Sequence, residues 1–287
     1  MTLVRPVRRT TSDLVRMAFP QRKMDTHKGD YGRVLLICGS EGFSGAPSLA
    51  ARAALRCGSG LIEVAVPRCI YPIVASRLEA PMVFPVPDDG QGNISLQALP
   101  VLLAKLSRCD ACLIGPGLGQ SHQLEELVQA LVREAKVPVV LDADGLNLIS
   151  RHMDVLRRNG PAIVLTPHEG EYRRLTNDLE TDRLSGAAAL AKRTGTVVLR
   201  KGHETVISDG KKCYVNRTGN PGMATGGSGD VLAGILVSIL GRGVPALEAA
   251  AAAAWLHGTA GDLCARELGQ TAMSPVDLTE CLYRLLP

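Results

Sequence analysis

The sequence predicts a single α/β domain of three layers, in which helices cover both faces of a mostly parallel central sheet. Six short apolar runs recur along the 287-residue chain, and helical segments separate them. This alternation is typical of a parallel sheet, because parallel strands need crossover connections. No linker interrupts the pattern, so we expect one domain over residues 1–287.

The predicted strands are continuously apolar, which is the pattern of strands buried on both faces of a sheet. They lie at residues 33–38, 61–66, 111–115, 138–142, 162–166 and 196–200. Helices are predicted at residues 46–58, 122–135, 183–195 and 246–269, and a short capped helix within the Arg-rich N-terminal segment at 10–19. The polar, turn-rich stretch at 86–95 is predicted to be a loop.

The composition excludes some classes of protein. Hydrophobic residues make up 46% of the chain but aromatic residues only 3%, so the core must consist of Leu, Val, Ile and Ala. A net charge of +4 from 32 basic and 28 acidic residues is too even to indicate binding to nucleic acid or a membrane surface. No run of 18 residues is apolar without a charge or glycine break, so no membrane span is expected.

The eight cysteines predict reduced thiols and a cytoplasmic location. Several of them lie inside apolar strand-like runs of a large, regular chain, where a disulfide framework is not expected. Cys109 and Cys112 form a C-x-x-C pair. Without a second pair or a nearby histidine, we do not expect a metal or redox site there.

Five of the six predicted strands end in segments rich in glycine or polar residues. Ligands of open α/β sheets bind beyond the carboxyl ends of the strands, so this edge is the candidate site. The segments are ICGSEGFSGA, IGPGLG, LDADGLN, LTPHEGE and LRKGHET.

A glycine-rich loop, NPGMATGGSGD at residues 220–230, precedes a further predicted helix. Gly226, Gly227 and Gly229 would let the backbone close around phosphate oxygens, and the helix N-terminus favours an anion. Asp230 could then accept a proton as a general base. The alternative is a tight turn followed by an ordinary first-turn aspartate.

Three other segments carry candidate residues with structural alternatives. Lys201 and Gly202 could admit and neutralise a phosphate, although Lys-Gly is also a common turn pair. His168 could bind substrate or transfer protons. The same segment predicts a helix start with Thr166 and Glu169 as a capping box, which would leave His168 free.

The carboxylates of Asp142 and Asp144 could hold Mg²⁺ through water or cap the following helix. His257 lies within a predicted helix beside Trp255, and we expect it to serve in helix packing.

The motifs occur in a definite order between His27 and Asp262: HKGDYGRVLLICGS, FSGAPSLAARAALRCGSGLIEVAVP, IGPGLG, VLDADGLN, LTPHEGE, RKGHETVISDG and NPGMATGGSGDVLAGI. As a set they resemble the ADP/ATP-dependent NAD(P)H-hydrate dehydratase family, a branch of the ribokinase-like superfamily. The chain departs from many relatives by carrying Glu169 in place of proline. It also leaves no room for the N-terminal epimerase domain that many relatives carry, so we expect only the dehydratase step.

The resemblance implies ADP-dependent dehydration of hydrated NADH or NADPH, in the S form, as a metabolite repair reaction. The substrate hydroxyl would be phosphorylated and phosphate would then leave, giving NAD(P)H, AMP and phosphate. The resemblance also implies Mg²⁺, ADP or ATP as phosphate donor, a homotetramer, and cooperation with a separate epimerase. A small-molecule kinase on the same fold is the alternative, because its first step is also phosphorylation of a hydroxyl; a non-catalytic nucleotide sensor is a second alternative.

The resemblance also assigns residues. The substrate positions are Ala46, Gly117, His168 and Asp230, with Asp230 as the catalytic carboxylate at the substrate hydroxyl. The nucleotide positions are Lys201, Gly202, His203, Glu204, Thr205 and Gly229, to which the loop adds Gly226 and Gly227. It assigns no metal ligand.

Overall fold

The computed structural model describes residues 7–157, 159–177 and 182–287. The first six residues of the Arg-rich N-terminal segment lie outside this part of the chain. In the described residues one sheet has ten strands: β1 Val7–Arg9, β2 Arg33–Ile37, β3 Leu61–Pro67, β4 Met82–Val86, β5 Ala111–Ile114, β6 Val139–Leu141, β7 Ile163–Leu165, β8 Val197–Arg200, β9 Thr205–Ser208 and β10 Cys213–Asn216.

The strand order is β1-β10-β9-β8-β7-β6-β5-β2-β3-β4. The seven strands from β8 to β4 in that order are all parallel, whereas β9 is antiparallel to both of its neighbours and β1 pairs with β10 in parallel. The mostly parallel sheet is therefore confirmed, as are all six predicted strands. The sequence analysis missed β1, β4, β9 and β10.

The helices are α1 Ser12–Ala18, α2 Gly45–Arg56, α3 Tyr71–Ala75, α4 Leu99–Leu106, α5 His122–Glu134, α6 Asp144–Ile149, α7 Glu169–Thr176, α8 Arg183–Thr194, α9 Ser228–Gly241, α10 Ala246–Leu268 and α11 Pro275–Cys281. Short 3-10 turns join several of them. The helices that were predicted are confirmed. In the described part of the chain, no helix combines the length and the apolar character that crossing a membrane requires.

Two apolar cores lie on opposite faces of the sheet, which confirms the three layers. Val34 and Leu36 of β2 enter a core with α1, α2, α9 and α10, while Leu35 and Ile37 enter a core with α4, α5 and α8. Alternate residues of a strand point to opposite faces, so one continuously apolar strand serves both cores. The alanine run at 249–254 is wholly buried in the first core.

Candidate functional site

A buried ion pair joins the carboxyl ends of β6 and β8. The Nζ atom of Lys201 donates to Oδ1 of Asp142 at 2.7 Å and lies 3.8 Å from Oε2 of Glu171. The hydroxyl of Thr166, at the end of β7, donates to Oδ1 of Asp142 at 2.6 Å. Because β6, β7 and β8 are adjacent and parallel, three predicted strand-end segments meet at this point, as the sequence indicated.

Asp230 lies in the first turn of α9, within electrostatic reach of this ion pair. A Cβ atom on Gly229 would lie 3.5 Å from Nζ of Lys201, so the ammonium group packs beside the start of α9. Burial, and then the charge of Asp142, raise the pKa of Asp230 to about 7, while Lys201 opposes the shift. A carboxylate with a pKa near neutrality is suited to general base catalysis.

The glycine-rich loop leaves its backbone open to a ligand. Gly227 occupies the N-cap position of α9 with φ 99°, in the left-handed region that glycine tolerates. A Cβ on Gly226 would meet no atom within 4 Å. This loop can therefore present N–H groups at the start of α9 to an anion.

The structure brings Ala46 and Gly117 together. Gly117 has φ 62°, and a Cβ there would lie 3.1 Å from Cβ of Ala46 and 2.8 Å from Cβ of Phe43. The main-chain oxygen of Gly117 accepts a hydrogen bond from Ser40 at 2.8 Å, which fixes the loop after β5 against the loop after β2. Phe43 is 60% exposed beside them, and the sequence analysis did not single it out.

The predicted capping box at Thr166 and Glu169 is wrong. The main-chain N–H of Thr166 still donates to the main-chain oxygen of Leu141, so the pairing of β7 with β6 extends one residue beyond β7. Helix α7 begins only at Glu169. The cap is His168, whose Nδ1 accepts from the N–H groups of Gly170 at 3.0 Å and Glu171 at 3.3 Å. His168 is therefore not free, and the true box was two residues further along.

Glu171 completes that box and also reaches the ion pair. Its Oε2 accepts from the main-chain N–H of His168 at 2.8 Å, and its Oε1 lies 3.3 Å from Nε2 of the same residue. Burial raises the pKa of Glu171 above its usual value, against the effect of Lys201. The His-x-x-Glu spacing could have identified it.

The predicted nucleotide residues divide into two groups. Gly202, His203 and Glu204 are exposed on the turn between β8 and β9, which the hydroxyl of Thr205 closes by donating to the main-chain oxygen of Gly202 at 2.9 Å. The side chain of Lys201 turns away from them into the carboxylates. Arg183, which the sequence analysis missed, donates to the main-chain oxygen of Lys201 at 2.6 Å and so holds the turn in place.

Asp144 fixes the loop after β5. Its carboxylate accepts from the N–H of Gly119 at 2.9 Å, and from the side-chain amides of Gln120 and Asn147, each at 3.3 Å. Asp142 is engaged by Lys201. Within the described ranges, no three His, Cys, Asp or Glu side chains are grouped to hold a metal ion, so we assign no ligand for Mg²⁺.

His257 packs α10 against the start of α9, in keeping with its predicted role in helix packing. Its Nε2 lies 3.3 Å from Oγ of Ser228, the first residue of α9. Burial lowers the pKa of His257 to about 4, so the imidazole is neutral at physiological pH. The sequence could not indicate this contact, because it depends on how α10 crosses the start of α9.

Comparisons with known proteins show which family the chain is similar to. The family model for NAD(P)H-hydrate dehydratase matches residues 34–284. The bifunctional NAD(P)H-hydrate repair enzyme of Moorella thermoacetica is 44% identical over 282 residues, which are 96% of this chain and 53% of that protein. The enzyme of the same name from Salinibacter ruber is 38% identical over 97% of this chain and 52% of its own length. The chain thus spans about half the length of these curated relatives.

Two solved structures superpose on nearly the whole chain. A ribokinase-like protein from Enterococcus faecalis gives a TM-score of 0.86 at 27% identity, covering 97% of this chain and 94% of that one. The ADP/ATP-dependent NAD(P)H-hydrate dehydratase of Bacillus subtilis, co-crystallized with ATP/Mg²⁺, gives 0.81 at 29% identity and covers 98% of both chains. The chain belongs to the NAD(P)H-hydrate dehydratase family and has its ribokinase-like fold.

Proposed function

We propose that the protein dehydrates the S form of hydrated NADH or NADPH with ADP as phosphate donor, and so repairs a damaged cofactor. One observation carries the proposal: a buried carboxyl, Asp230, has a pKa of about 7 in the first turn of α9, at the end of the glycine-rich loop. The family membership selects the substrate from among those that this arrangement would serve.

The proposed chemistry begins with transfer of a phosphoryl group. Asp230 accepts the proton of the substrate hydroxyl. The hydroxyl oxygen of the substrate attacks the terminal phosphorus of ADP, and AMP leaves. The backbone N–H groups of Gly226, Gly227 and Gly229 hold the phosphates. The C–O bond of the phosphate ester then breaks, the neighbouring carbon loses a proton, and the ring double bond forms again. Phosphate leaves far more readily than hydroxide, which explains the need for a nucleotide.

We assign the remaining site residues to the two ligands of that reaction. Ala46, Gly117 and His168 contact the hydrated dinucleotide, and the turn from Gly202 to Thr205 contacts the nucleotide. Mg²⁺ would enter with the nucleotide, held by phosphate oxygens and water rather than by a set of protein ligands, as is usual for this ion. The relative from Bacillus subtilis was co-crystallized with ATP/Mg²⁺, which supports this route.

The proposal extends to the setting of the enzyme. We place it in the cytoplasm as a homotetramer that acts beside a separate epimerase. The curated relatives are bifunctional and about twice as long as the matched segment, which supports a second activity in the same repair process. Sedimentation of the purified protein tests the tetramer.

One assay tests the reaction and the donor together. The protein is mixed with hydrated NADH, Mg²⁺ and either ADP or ATP, and the absorbance of reduced nicotinamide is followed. We expect recovery of absorbance with stoichiometric release of phosphate. A phosphorylated product that accumulates without recovery of absorbance would instead identify a small-molecule kinase, and nucleotide binding without turnover would identify a sensor.

A further inference from the structure

The ammonium group of Lys201 is surrounded by carboxylates rather than directed at open solvent. It bonds Asp142 at 2.7 Å, lies 3.8 Å from Glu171, and packs against the start of α9 beside Asp230. Its side chain is only 18% exposed. Burial acts against the charge of Lys201, but Asp142 and Glu171 outweigh it and raise the pKa of the lysine, so the lysine stays protonated.

Asp230 is therefore balanced between opposing charges. The carboxylates of Asp142 and Asp144, from the β6–α6 segment, disfavour its ionised form, and Lys201 favours it. His257 of α10 is neutral at physiological pH and contributes no charge. Glu171 of α7 faces the cluster on the other side of the lysine.

We propose that Lys201 is a positioning residue for Asp230: its ammonium group favours the ionised form of that carboxylate, and does not serve as a ligand of the nucleotide phosphates. The inference rests on the role proposed above for Asp230. The residues of the β8–β9 turn that could face the nucleotide would then begin at Gly202, and Lys201 would contribute only its backbone.

Two substitutions should act on Asp230 in opposite directions. Lys201→Gln removes the favourable charge but keeps a donor for Asp142, so Asp230 should hold its proton to higher pH. Asp142→Asn removes an unfavourable charge, so Asp230 should release its proton at lower pH. A charge within about 4–6 Å moves a titration by about one pH unit or more. A residue that only supports the fold would not produce opposite signs.

The first experiment needs no substrate. Carbon-13 NMR of the protein with labelled aspartate carboxyls follows the chemical shift of Asp230 against pH. The resonance that is missing in Asp230→Asn is assigned to Asp230. We expect the midpoint to rise by about one pH unit in Lys201→Gln and to fall in Asp142→Asn. Lys201→Arg, which keeps the charge, should stay near the wild type. Lys192→Met, which removes an exposed positive charge from α8, should leave the midpoint unchanged.

The second experiment measures kcat/KM for hydrated NADH against pH, which reports the free enzyme. The acidic limb of the kcat/KM profile should move with the NMR midpoints. At a pH below this limb, kcat/KM of Lys201→Gln should be about tenfold lower than that of the wild type. The Kd for ADP should change little. Unmoved midpoints, or midpoints that move in the same direction in both variants, would overturn the inference. So would a loss of ADP binding in Lys201→Gln with an unmoved midpoint. If the NMR shifts occur and the wild type does not turn over hydrated NADH, the proposed function fails and the electrostatic role of Lys201 stands.

Discussion

His168 and Glu171 cap helix α7 reciprocally: the imidazole Nδ1 accepts from the N–H of Glu171, and the Glu171 carboxylate accepts from the N–H of His168. The imidazole thus has a structural task in addition to its proposed contact with the dinucleotide. The ring is still 54% exposed, so its outer face is available to a ligand.

Two variants separate these tasks of His168. His168→Ala should lower the free energy of unfolding by about 1 kcal/mol, because the cap is lost, and should weaken binding of hydrated NADH more than binding of ADP. His168→Asn should recover most of the stability, since asparagine is a good N-cap, without recovering dinucleotide affinity. Chemical denaturation and calorimetric titration measure the two effects. Equal losses for both ligands would count against a place for His168 in the substrate pocket.

Local patterns predicted the sheet but not the partners of the site residues. The six strands were found because each is apolar on both faces, whereas β1, β9 and β10 lie towards one edge and β4, at the other, contains Pro85. The position of the cap depended on how far β7 pairs with β6. The bond between Lys201 and Asp142 joins residues 59 positions apart, so no local motif could specify it.

Asp230→Asn should abolish dehydration while leaving nucleotide binding largely intact. A general base contributes about 10²–10⁴-fold to a rate, and an amide cannot accept the hydroxyl proton. Turnover of hydrated NADH and titration with ADP test the two halves of this expectation. Asp13→Asn is the matched control, because that side chain is 70% exposed on α1. A normal rate in Asp230→Asn would refute the assignment of the base.

The raised pKa of Asp230 also makes stability depend on pH. An unfolded aspartate releases its proton near its ordinary pKa of 3.8, whereas in the folded protein the pKa of Asp230 is about 7. Between these values the folded state binds more protons, so the contribution of Asp230 to the free energy of unfolding falls as pH rises through this window and is level above it. The full change is on the order of a few kcal/mol. The difference between wild type and Asp230→Asn in denaturation at several pH values isolates it; a difference independent of pH would contradict the shift.

Gly234 allows α9 to approach α2 closely. A Cβ at this position would overlap the main-chain oxygen of Ala50, which cannot move without displacing α2. Gly234→Ala should therefore lower the free energy of unfolding by about 1–3 kcal/mol. Gly45→Ala, in the first turn of α2, is the control, because a Cβ there meets no atom within 4 Å. Similar stabilities of the two variants in urea would show that the helices can separate at little cost.

Phe43 is the exposed aromatic side chain beside the predicted substrate positions. Its Cβ lies against Gly117, which in turn contacts Ala46, so a dinucleotide bound there would meet the phenyl ring. Stacking of a base on an aromatic ring contributes about 1–3 kcal/mol, so Phe43→Ala should raise the KM for hydrated NADH roughly tenfold or more and leave the Kd for ADP unchanged. Phe43→Tyr should retain the affinity. Tyr283→Ala, which removes a 64% exposed ring near the C-terminus, should have no effect on either ligand. An unchanged KM in Phe43→Ala would mean that the dinucleotide lies on the other side of Ala46, away from the loop that follows β2.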